Sequence, residues 1–140
     1  MSDCVFCDIL TSKSPASIAY QDEVTIAFMD IYALNPGQVV VIPRKHVTCM
    51  ADMDEATGMQ LFKAAMHVCR AIRKAGIECD GINVFLADGE AAGQEVFHVH
   101  FLVIPRLKGD SMRITANWTK PDRKELDEIA EKIRLAGESL

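Results

Sequence analysis

The apolar positions of the chain change period along its length, and each change marks an element. Ile18 to Tyr20 and Val24 to Met29 are short β-rich runs separated by Gln21, Asp22 and Glu23, which predicts two strands joined by a polar turn. Asn35, Pro36 and Gly37 signal a further turn before Gln38 to Ile42, a third strand that Pro43 stops. From Asp54 to Ala75 the spacing becomes helical: Met59, Phe62, Met66, Cys69 and Ile72 trace one stripe, and Leu61, Ala65, Val68 and Ala71 widen it. Lys63, His67, Arg70 and Lys74 hold the polar side, with acidic residues at the helix start, basic residues in its last turn and Gly76 as the stop. An apolar face this broad packs either on a sheet alone or on a sheet and a second subunit. Gly81 to Leu86 reads as a fourth strand, ADGEAAG from Ala87 to Gly93 as a loop, and QEVFHVHFLVIPR from Gln94 to Arg106 as a fifth strand. A short helix from Cys4 to Leu10, capped by Asp3, opens the chain. A helix opened by Pro121, with Leu126, Ile129, Ala130 and Ile133 on one stripe and Gly137 at its end, closes it.

The fifth strand carries the candidate chemistry. Strand alternation puts His98, His100 and Leu102 on one face and Phe97, Val99, Phe101 and Val103 on the other, which is predicted to be the core face. The first face then presents two imidazoles about 7 Å apart, which burial alone does not call for. Two satisfied polar residues at a sheet edge remain the ordinary alternative.

Length and composition narrow the class. At 140 residues the chain is expected to form a single domain over 1–140, large enough for a core without disulfides. No apolar segment approaches the roughly 20 residues of a membrane span, and MSDCVFCDIL has no basic leader, so no secretory signal and a cytoplasmic location are expected. The five cysteines, an odd number, fit a reducing compartment. A net charge of −5 argues against a surface for nucleic-acid polymers, while a small anion needs only local donors such as backbone N–H groups. Cys4 and Cys7 form a CxxC pair that fits a zinc half-site, a redox pair or two buried thiols equally well. Alone, His46 reads as a surface residue, His67 as a solvated helix residue, and Asp30 as a strand terminator.

Together the segments CVFC, IAFMDI, LNPGQVVVIPRKHV, GEAAGQEVFHVHF and VIPR, in that order between Cys4 and Arg106, resemble the histidine-triad (HIT) family. The resemblance implies an α+β fold, with a HIT-like antiparallel sheet packed on one long helix and a C-terminal helix beyond it. It also implies a homodimer and a purine nucleoside monophosphate or related nucleotide as ligand. It implies that His100 is the catalytic nucleophile, with His98 beside it. Phe6, Ile9, Phe28 and Ile31 are implied to line the base, Asp30 to hold the ribose, and N–H groups of Gly93, Gln94, Glu95 and Val96 to hold phosphate oxygens. Zinc is implied as a structural cofactor on Cys4, Cys7, His46 and His98, a tetrahedral sulfur and nitrogen set.

The chain departs from the family pattern at three positions. Leu102 stands where a third histidine or a glutamine is usual, Ala87 where an amide side chain is usual, and Glu95 where a serine or threonine is common. Losing one preorganised donor typically costs about 3 kcal/mol of transition-state stabilisation. The expected function is hydrolysis or transfer of nucleoside phosphoramidates or dinucleoside polyphosphates through a nucleotidyl-histidine. The alternatives are a nucleotide-binding or regulatory protein with little turnover, and a purely structural zinc-bound dimer.

Overall fold

The computed structural model describes residues 3–140. Five strands, β1 (Ile18–Gln21), β2 (Thr25–Met29), β3 (Val39–Pro43), β4 (Gly81–Phe85) and β5 (Phe101–Arg106), form one antiparallel sheet in the order β1-β2-β3-β5-β4. The helices are α1 (Val5–Leu10), α2 (Glu55–Lys74) and α3 (Arg123–Gly137), so the fold is α+β as expected.

Helix α2 begins where the sequence places it because Asp54 is a working cap, accepting from the Thr57 N–H at 3.0 Å and the Thr57 hydroxyl at 2.8 Å. Its inner stripe of Leu61, Ala64, Ala65, Val68 and Ile72 packs on Ala27, Val39, Val41, Val99 and Val103 from one face of the sheet. The small alanines let the helix approach the valines closely. The outer part of its apolar face stays open, with Met59, Phe62 and Met66 all exposed. Of the two packings open to this face, a single chain fills only the one against the sheet. His67 is exposed on the polar side, its ring 4.4 Å from that of Tyr20.

The opposite face of the sheet is covered by α1. Phe6 from α1 packs with Ile26, Phe28, Val40 and Ile42, and Cys4, Ile9, Leu10, Val96 and Leu102 pack around that group. Asp3 does not cap this helix: Cys4 occupies the cap position, with no side-chain cap hydrogen bond. Helix α3 is capped by Asp122, whose carboxylate accepts from the Glu125 N–H at 2.9 Å, rather than opened at Pro121. It is exposed along its length.

The fifth strand is shorter than the apolar pattern predicts. Regular pairing starts at Phe101, and Val96 to His98 form a bend. The partner strand is the reason: β3 pairs with β5 through Val39, Val40 and Val41 and ends at Pro43, which has no N–H to donate. The incoming chain instead bonds the turn beyond β3, with the Val99 N–H donating to the Val47 carbonyl at 2.7 Å. The bend breaks the alternation, so Phe97, expected in the core, is 47% exposed, while Val99 and Val103 are buried as expected.

Candidate functional site

His98 sits at the bend and is wholly buried. Its Nε2 lies 2.8 Å from the Pro43 carbonyl oxygen. A carbonyl can only accept, so Nε2 carries the proton and Nδ1 keeps its lone pair. That lone pair faces the Cys4 Sγ at 3.5 Å and the Cys7 Sγ at 3.7 Å, and the His46 Nδ1 lies 3.3 Å from the Cys7 Sγ. Cys4, Cys7, His46 and His98 thus offer one ligand atom each within 4.8 Å of one another. Three separate elements bring them together: Cys4 and Cys7 at the start of α1, His46 after β3, and His98 before β5.

The protonation of His98 suits a cation, while that of Cys7 must change when one binds. Burial holds the His98 pKa below the usual imidazole value against the pull of its Pro43 hydrogen bond, and the neighbouring His46 and His100 rings push the same way. Burial and contact with Cys4 raise the Cys7 thiol. A bound metal ion reverses that second effect, since a coordinating thiol loses its proton outright. The Pro43 carbonyl supplies the outer hydrogen bond that fixes a ligating histidine's tautomer.

His100 takes the opposite tautomer. Its Nδ1 is 2.7 Å from the backbone carbonyl of His98, so Nδ1 donates and the Nε2 lone pair is left free. The ring is half-buried and meets the edge of Phe6 at 5.1 Å between centroids. His100 and Leu102 lie on the face of the sheet that α1 covers, as the alternation predicts, and Leu102 joins the Phe6 cluster.

The loop before the bend is braced by Gln94. Its side chain is buried, accepts from the Gly89 N–H at 2.8 Å and donates to the Thr48 carbonyl at 2.9 Å and the Val96 carbonyl at 3.2 Å. Two of the amides expected to hold phosphate are engaged inside the loop, Gly93 with the Glu90 carbonyl and Gln94 with the Gly89 carbonyl. Among the described residues the N–H groups of Glu95 and Val96 have no acceptor in the chain. Gly93 itself has a left-handed φ of 92° that glycine adopts without strain.

Asp30 follows β2, and its carboxylate accepts from the Gln38 side-chain amide at 2.8 Å and the Tyr32 N–H at 3.0 Å. Phe6, Ile9 and Phe28 come together in one apolar cluster, whereas Ile31 stands apart from it, 87% exposed. An open cleft of about 850 Å³ lined by Cys4, Cys7, His46, Thr48, Glu95 and Val96, among others, runs over the metal-ligand cluster to the loop. The sequence names Gln94 only for its backbone N–H, and Gln38 and Pro43 only as the bounds of a strand; the support that the Gln94 and Gln38 side chains and the Pro43 carbonyl give the site comes from contacts distant in the chain.

Comparison with known proteins places these features in a wider set. The HIT domain model matches residues 11–109. The fold is similar to that of a Streptococcus mutans protein, with a TM-score of 0.90 and 36% identity over 97% of this chain and 86% of that one. It is also similar to a zinc-bound histidine triad family protein of Mycobacterium smegmatis, with a TM-score of 0.74 and 36% identity over 88% of this chain and 86% of that one. An adenylylsulfatase of Arabidopsis thaliana is 31% identical over 132 residues, covering 94% of this chain and 66% of that one.

Proposed function

The chain belongs to the HIT family, and on that premise we propose that it binds a purine nucleoside monophosphate or related nucleotide and turns over nucleoside phosphoramidates or dinucleoside polyphosphates through an adduct on His100. The observation that carries the reading is the His100 tautomer: a carbonyl 2.7 Å from Nδ1 takes that proton, so the neutral ring of this half-buried residue carries its lone pair on Nε2. The Nε2 pair attacks the α-phosphorus, a phosphorus–nitrogen bond forms, and the bond to the leaving group breaks. Water then attacks the same phosphorus, returning the pair to Nε2 and releasing the nucleotide. The unengaged Glu95 and Val96 N–H groups suit the charge that develops on the phosphoryl oxygens. The free lone pairs of Asp30 suit ribose hydroxyls, and the Phe6, Ile9 and Phe28 cluster suits a base.

The test is a covalent trap. Incubation with a labelled nucleoside phosphoramidate, followed by quenching without acid, is expected to leave label on the wild type and none on His100→Ala. Tight mononucleotide binding with no trapped label would support the second reading, a nucleotide-binding or regulatory protein with little turnover. Leu102, with no hydrogen-bonding atom at the third triad position, is what favours that reading.

Zinc is the cofactor the donor set fits, with Cys4, Cys7, His46 and Nδ1 of His98 as its ligands. Four protein ligands close the coordination sphere, so the ion would supply structure, tying α1 to the bend that carries His100. The exposed Met59, Phe62 and Met66 on α2 are the surface proposed for a homodimer. A cytoplasmic setting agrees with the five free thiols, and no helix among the described residues is long and apolar enough to cross a membrane.

A further inference from the structure

The C-terminal arm leaves the domain from a fixed root. Arg106 donates to the Asp110 carboxylate from Nε at 2.8 Å and to the Met112 carbonyl from Nη2 at 3.1 Å, and the Asn35 amide donates to Asp110 at 3.0 Å. From Arg113 to Leu140 every residue is exposed, and none belongs to either apolar cluster of the domain. Among the described residues, the hydrogen bonds and ion pairs of 114–140 all stay within that segment. Yet α3 has the pattern of a helix with a face to bury: Leu126, Ile129 and Ile133 recur at helical spacing, and Ile114 and Trp118 add exposed apolar side chains before it. A helix of 15 residues is marginal in water without tertiary packing. The whole chain shows the same deficit, exposing 9840 Å² where a compact monomer of 15.5 kDa exposes about 7,200 Å². Residues 113–140 are a fifth of the chain, so the superposition on the Streptococcus mutans protein, which covers 97% of this chain, takes in the arm.

We propose that the arm from Arg113 to Leu140 is exchanged between two copies of this chain, with the α3 stripe of each copy seated on the other. The proposal builds on the homodimer read from α2 above. Covering half of the excess surface on each copy gives an interface of about 2,600 Å² over both, within the roughly 2,000–5,000 Å² of permanent dimers. The chain itself holds a second unmatched apolar surface, the Met59, Phe62 and Met66 ridge of α2, which the contact between the Phe62 and Phe101 rings continues onto the sheet. Within one chain α3 leaves that ridge uncovered. A two-fold pair buries arms and ridges together, because every contact in it is made twice. Charge favours protein over lipid as the surface that α3 meets. Residues 123–137 carry four basic and four acidic side chains, and Arg123, Lys124 and Arg134 pair with Asp127, Glu128 and Glu131 inside the helix. A helix that lies on an anionic membrane has a polar face rich in Lys and Arg instead.

Sedimentation equilibrium and amide hydrogen exchange on the 140-residue chain test this. The expected result is a dimer in which the amides of 123–137 are protected. The double variant Ile129→Glu, Ile133→Glu is expected to raise the dimer dissociation constant by roughly 100-fold or more, as two buried apolar anchors become charged. The sheet amides should stay protected in that variant, since neither residue packs on its own domain. Cross-linking of amines to carboxylates in a refolded equal mixture of ¹⁵N-labelled and unlabelled protein is expected to join Lys124 or Lys132 of a heavy copy to a light one. Links from these lysines confined to one isotope, in a dimer whose α3 is protected, would place the helix on its own chain and overturn the proposal. An unchanged dissociation constant in the double variant would also overturn it, while leaving the α2 homodimer standing. A monomeric wild type would overturn both, and α3 protection that appears only with phosphatidylglycerol vesicles would assign the stripe to a lipid surface instead.

Discussion

Asp22 shows how much a single carboxylate can organise. It accepts from the N–H groups of Val24 at 2.8 Å and Thr25 at 2.7 Å, from the Tyr20 and Thr25 hydroxyls at 2.8 Å, and from the Gln60 amide of α2 at 2.8 Å. Burial pulls its pKa upward, but the hydrogen bonds from Gln60, Val24, Thr25 and Tyr20 outweigh that and hold the carboxyl well below the usual carboxylate range. The unfolded chain therefore takes up the proton more readily than the folded one. The stabilisation is complete above the ordinary carboxylate pKa of about 4 and is lost as the pH falls below it toward the folded value. Asp22→Ala is expected to destabilise the protein by on the order of 2 kcal/mol at neutral pH, because the buried Thr25 hydroxyl loses its acceptor. Urea titrations at neutral and acid pH should show the difference between wild type and variant shrinking in acid.

Among the elements, those whose ends are set by local chemistry were legible in the sequence. Helix α2 runs between Asp54 and Ala75 because a cap, a helical apolar period and Gly76 agree, and all three signals are local. The bend at Val96 to His98 was not legible, since it follows from where β3 runs out, a fact about another strand. The engagement of the Gly93 and Gln94 amides was missed for a different reason: their acceptors are carbonyls of the loop's own 3₁₀ turn at Glu90–Ala92 and its flank, and a glycine-rich loop does not name its own turn. The approach of Cys4 and Cys7 to His98 could be read only through family resemblance, because nothing in the CxxC spacing names its partners. The turn into β3 makes a further element-level prediction. Gly37 has a φ of 96°, and a Cβ there would lie 2.9 Å from the Ile77 Cγ2 and 3.3 Å from the Pro105 Cγ. Gly37→Ala is expected to lose about 1–3 kcal/mol from backbone strain alone, with added loss from the clash. Gly76→Asn should lose less in the same thermal or urea melt, since its φ of 76° suits asparagine and a Cβ there meets nothing within 4 Å.

For the whole molecule, the cluster of Cys4, Cys7, His46 and His98 joins parts that the sheet leaves separate. Helix α1 is six residues long and precedes β1, too short to be stable by itself. It is held by the Phe6 cluster and, in the proposed zinc form, by two of the four ligands. Chelation of zinc is expected to lower the thermal midpoint and to expose the segment before β1 to protease, while the α2-covered side of the sheet keeps its amide protection. A midpoint and a digestion pattern unmoved by chelator would show that the cluster does not hold the N-terminus in place.

One residue stands between the two sites, and it serves them with different atoms. The ring of His98 faces the cysteines, while its backbone carbonyl orients His100. A backbone carbonyl is common to every amino acid, so descent with modification can treat the two duties independently. A lineage that loses its cysteines is free to replace the imidazole at position 98 with any side chain that fills the same buried space, and His100 keeps its orientation. The proposed metal binding and the proposed adduct chemistry are adjacent in space but can be inherited apart.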